Sequence, residues 1–99
     1  MTFPDFRDSA SADAVPPEIL GPALAALWHD RRGQWALAHT FAQEAGGKAG
    51  SWVHAYLHRK EGDKANASYW YHRAGRPVAS GDLATEWEQI ARALLDDNR

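Results

Sequence analysis

His54, His58 and Glu61 are the residues whose types and spacing best suit chemistry. On a helix, positions four and then three apart share one stripe, so two imidazoles and a carboxylate project side by side. Such a set can chelate a divalent metal, with the carboxylate as a third ligand. A metalloprotease helix would carry its general-base glutamate directly after the first histidine, and Ala55 stands there instead. Asn66 and Tyr69, with Asp63, add polar groups around the turn that follows, enough to hold a small polar ligand. No nucleophile motif, phosphate-cradling loop or paired-carboxylate motif accompanies them, so no reaction can be named. His39 and His72 have no acidic partner at helical spacing and are not assigned to this site.

Composition closes several classes. The 99 residues contain no cysteine, which excludes disulfides, thiolate zinc sites and cysteine nucleophiles. The first sixteen residues carry Asp5, Asp8 and Asp13, lack an apolar run and end in Val15-Pro16-Pro17. They read as a mobile lead-in rather than a signal peptide or anchor, which points to a cytoplasmic protein with no membrane partner. Net charge is −2, with a mildly basic centre holding all five histidines between acidic ends. That balance reads as a solvated face and predicts no nucleic-acid partner.

Helical spacing organises the remainder. Leu20, Leu24, Leu27 and Trp28 predict a helix from Pro17, or from Pro22 if Gly21-Pro22 delays it, to about Arg32. Trp35, Ala38, Phe41, Ala42 and Ala45 predict a second, ended by Gly46-Gly47. A third is expected from a Ser51 cap through Lys60, and a fourth from an Asp63 cap to Gly75. Leu83, Trp87, Ile90, Ala91 and Leu94 mark a fifth helix behind Asp82. Nothing alternates over a strand length, so the expected fold is all-α, one domain over residues 17–99.

Shifting residues 27–46 by twenty-nine positions onto 56–75 aligns His29 with His58, Gly33 with Gly62 and Gly46 with Gly75, besides three alanine pairs. A period near thirty with glycine between two helices predicts stacked hairpins closed by the fifth helix. The run from Gly62 to Gly75 resembles the second helix of a SEL1-like repeat, a relative of the tetratricopeptide repeat. Ala67, Trp70, Tyr71, Arg73 and Ala74 fall on that family's pattern, while Ala55 and His58 stand where its first helix usually has glycine and tyrosine.

The resemblance implies a non-catalytic scaffold binding a protein or peptide, without cofactor or metal. Its binding face would be the stripe Trp52, Tyr56 and Arg59, rings beside an arginine as at binding hot spots. Trp70, in line with Ala67 and Ala74, is expected in the core, and His29 is expected to share a packing role with His58. The competing reading is a small-ligand or metal-binding helical domain, or an enzyme, centred on His54, His58 and Glu61 with Asn66 and Tyr69 beside them. Because two hairpins make a short array, self-association into a homo-oligomer could hide its ends.

Overall fold

A computed structural model describes residues 1–97. The chain is all-α, with helices α1 (Phe3–Ala12), α2 (Pro22–Arg31), α3 (Trp35–Ala45), α4 (Gly47–Glu61), α5 (Lys64–Ala74) and α6 (Leu83–Asp97). Positions 98 and 99 of the expected domain lie outside the described residues.

The lead-in is a helix rather than a mobile segment. Thr2 caps it by accepting from the Asp5 N–H at 3.3 Å, and Pro4 lies in the first turn, where a missing N–H costs nothing. Phe3, Phe6 and Ala10 share one face and are buried. Both phenylalanines meet Trp87 of α6, Phe6 stacked at 5.5 Å and Phe3 edge-on at 6.0 Å. This apolar face joins α1 to the same core as the rest of the chain, while Asp13 to Val15 beyond it are exposed.

Two hairpins follow, α2 with α3 and α4 with α5, and their turns close alike. Gly33 and Gly62 adopt φ of 75° and 90°, a region open to glycine at little cost. In each turn the glycine N–H and the next N–H return to helix carbonyls, those of Asp30 and His29 in one and of Arg59 and His58 in the other. Asp63 caps α5 as expected, its carboxylate accepting from the Asn66 N–H at 3.1 Å. Ser51 does not cap α4: the helix begins at Gly47, and Ser51 is buried inside it. Gly50, in the first turn of α4, faces α3 so closely that a Cβ there would sit 2.8 Å from the Ala42 carbonyl oxygen. Only glycine lets α3 and α4 approach so closely.

α4 is central, packed against α2, α3, α5 and α6. Leu24, Leu27 and Trp28 meet Val53, Leu57 and Ile90 in the main core. Three indole N–H groups are satisfied inside it: Trp28 donates to the Ser9 hydroxyl, Trp35 to the Leu57 carbonyl and Trp87 to the Leu27 carbonyl.

α6 is held down by charge as well as by apolar contact. Glu86, 4% exposed, accepts from Arg59 at 2.8 Å and from the Tyr71 hydroxyl. Asp30, equally buried, accepts from the Tyr56 hydroxyl at 3.1 Å and from Lys60 at 2.9 Å. Burial, followed by the adjoining carboxylates, pushes both tyrosine hydroxyls well above their usual range, so they stay protonated donors. Among the described residues no buried side-chain nitrogen or oxygen lacks a hydrogen-bond partner.

Candidate functional site

The site begins with Trp35 at the start of α3. Its indole N–H is tied to the Leu57 carbonyl of α4 at 2.9 Å, which fixes the two helices in register. One turn later, His39 stacks on that indole with ring centres 5.0 Å apart. Across the interface, His54 and His58 project from successive turns of α4 and stack at 4.8 Å. His39 meets them edge-on, at 4.5 Å from His54 and 5.2 Å from His58. One imidazole nitrogen from each of the three lies within 4.8 Å of the others.

Two further side chains frame the triad. Trp70 of α5 lies flat on His54 at 3.9 Å. A carboxylate oxygen of Glu61 is 2.6 Å from His58 Nδ1. With Nδ1 engaged, His58 offers Nε2, the arrangement by which a carboxylate sets the tautomer and orientation of a metal-binding histidine.

Electrostatics keep His39 and His54 neutral. Burial, with help from His39 and His58, lowers the His54 pKa to about 4. His39 is lowered as well, first by burial and then by His58, against a smaller opposing pull from Glu61. Near neutral pH both therefore carry free lone pairs.

His54, His58 and Glu61 come together as their spacing predicts, but Glu61 engages His58 Nδ1 and does not join the group of three imidazoles. The third imidazole is His39, which the sequence reading set aside. Its signal was present: Trp35 and His39 are four apart, and a hairpin through Gly46-Gly47 folds α3 back on α4. A search for partners along the same helix cannot find a contact made across two.

Asn66 serves the α5 cap with Asp63. Tyr69 is half-exposed, its hydroxyl accepting from Arg73, and its ring meets the edge of Trp70. Neither is among the residues that cluster with the three imidazoles. Trp70 is half-buried beside His54, and the buried aromatic of α5 is Tyr71, at 1% exposure. His29 accepts a packing role, stacked on Phe41 and paired with Gln34.

The stripe Trp52, Tyr56 and Arg59 is not an open groove. Tyr56 is 3% exposed and bonded to Asp30. Arg59 is bound to Glu86 and to the Gly81 carbonyl. Trp52 is half-buried under the Arg76 guanidinium, 3.7 Å above its ring. The physical reason is that the chain itself supplies a partner to each: Asp30 of α2 to Tyr56, Glu86 of α6 to Arg59, and Arg76 just beyond α5 to Trp52.

No described helix is long and apolar enough to cross a membrane. No protein-family model, curated protein or solved structure matches the chain.

Proposed function

We propose that this domain binds a divalent transition-metal ion of the zinc type through His39, His54 and His58, with Glu61 orienting His58. The observation that carries this reading is the convergence of three imidazole nitrogens within 4.8 Å on two helices pinned together by Trp35. Zn–N bonds of about 2.0–2.1 Å imply tetrahedral N···N separations of roughly 3.4 Å, so closing the set draws the nitrogens together by at most about 1.4 Å. Imidazole donors favour zinc, copper or nickel over calcium or magnesium, which prefer oxygen. The scaffold role implied by the SEL1-like resemblance would need another surface, because the stripe assigned to it is engaged within the chain.

The test is calorimetric titration of chelator-treated protein with Zn2+, paired with thermal unfolding. The expectation is a saturable site of micromolar or tighter affinity that His39→Ala weakens and Mg2+ does not fill. Zinc at a hundredfold excess over Kd should stabilise the fold by about 2.7 kcal/mol. Absence of both heat and stabilisation at submillimolar Zn2+ would refute the reading and leave the three histidines a packing cluster.

A further inference from the structure

The donor set stops at three. Among the described residues no fourth histidine, cysteine or carboxylate joins His39, His54 and His58, and Glu61 is held at Nδ1 of His58. A tetrahedral ion with three protein nitrogens takes its fourth ligand from solution. Neutral imidazoles cancel none of the ion's charge, so water in that place becomes a source of hydroxide at neutral pH. His39 is half-exposed whereas His54 and His58 are buried, which marks the α3 side as the approach from solvent. The rim is aromatic with one cation: Trp35 lies against His39, Trp70 against His54, the half-exposed Tyr69 against Trp70, and the Arg73 guanidinium 5.4 Å over the Trp70 ring.

Resting on the metal reading above, we propose that this centre is hydrolytic and that its substrates are small carboxylic esters of aromatic alcohols. Hydroxide on the ion adds to the ester carbonyl carbon, forming a C–O bond while the carbonyl π pair moves onto oxygen beside the cation. Collapse restores the C=O bond and breaks the bond to the aryloxide. The aryloxide leaves with that electron pair and takes up a proton equivalent to the one the water lost to solvent. Ester and water become acid and phenol, with no change in oxidation state. The aromatic rim supplies a stacking surface for the departing ring.

The experiment uses the full chain, stripped with EDTA and reloaded with Zn2+ or Co2+, and follows p-nitrophenyl acetate hydrolysis. The zinc form should exceed metal-free protein, free Zn2+ at equal concentration and the His39→Ala variant by at least about tenfold. Azide should inhibit it and shift the visible spectrum of the Co2+ form, as expected for an exchangeable ligand. Trp70→Leu should raise KM for the aryl ester with little change in kcat, and an unchanged KM would remove the aromatic rim from substrate binding. Zinc bound stoichiometrically with a rate no higher than the comparators would overturn the hydrolytic inference and leave metal binding intact. A Co2+ spectrum indifferent to azide would do the same. Failure to bind zinc at all would overturn both.

Discussion

Arg59→Glu is the substitution that most sharply tests how α6 closes the fold. As a charged residue near the end of α4, Arg59 would be expected to tolerate reversal if solvent surrounded it. Instead its side chain is 17% exposed and donates to Glu86, whose side chain is 4% exposed. Removing one partner of a buried ion pair costs about 3–5 kcal/mol, mainly because the other charge is left uncompensated. Arg59 keeps some contact with water, which points to the lower end, about 3 kcal/mol. The new carboxylate, facing Glu86, adds a like-charge contact to that cost. A domain of this length has about 5–15 kcal/mol in all, so the variant should be marginal. Urea unfolding followed by far-UV circular dichroism measures the loss. Arg59→Met isolates the missing charge, and the double variant Arg59→Met with Glu86→Gln should recover part of it because no buried carboxylate then stands alone. A shift below about 1 kcal/mol for Arg59→Glu, at unchanged m-value, would place Arg59 in solvent and reopen the Trp52–Tyr56–Arg59 stripe as a binding surface.

Phe6→Ala should cost about 3–5 kcal/mol, because the ring is fully buried and stacked on Trp87; a midpoint that hardly moves would detach α1 from the core. Trp70→Ala should cost less, about 1–2 kcal/mol, since the indole is only half-buried, and a loss as large as that of Phe6→Ala would return Trp70 to the core. For His54, the unfolded chain binds the proton near the ordinary value of 6.5 and the folded chain only near 4. The metal-free protein should therefore lose stability as pH falls from 6.5 through 4, with a flatter profile in His54→Gln; urea midpoints that rise on acidification would contradict the burial of a neutral His54.

Much of the local structure was legible because its causes are local. Gly62 and Asp63 mark a helix end and the next helix start through backbone freedom and a side-chain cap, both acting within a few residues. The spacing of Leu83, Trp87, Ile90 and Leu94 likewise identified the apolar face of α6. α1 was missed for a local reason too: Asp5, Asp8 and the serines masked the stripe of Phe3, Phe6 and Ala10, which becomes evident once Trp87 is beneath it.

By itself, then, the sequence determined the all-α class, the five helices after the lead-in, and the pairing of His54, His58 and Glu61 along one helix. Tertiary structure alone decided what lies against each face. Periodicity tells which side of a helix is turned inward, but it does not say which helix covers it. The triad needed His39 from α3, fifteen positions before His54, brought across by the close α3–α4 approach that Gly50 permits. Trp52, Tyr56 and Arg59 had the composition of a binding stripe, and whether they met a partner or their own chain depended on Glu86, twenty-seven positions beyond Arg59. Contacts at that separation are set by how the amphipathic faces of all six helices are satisfied together, which no window along the chain contains.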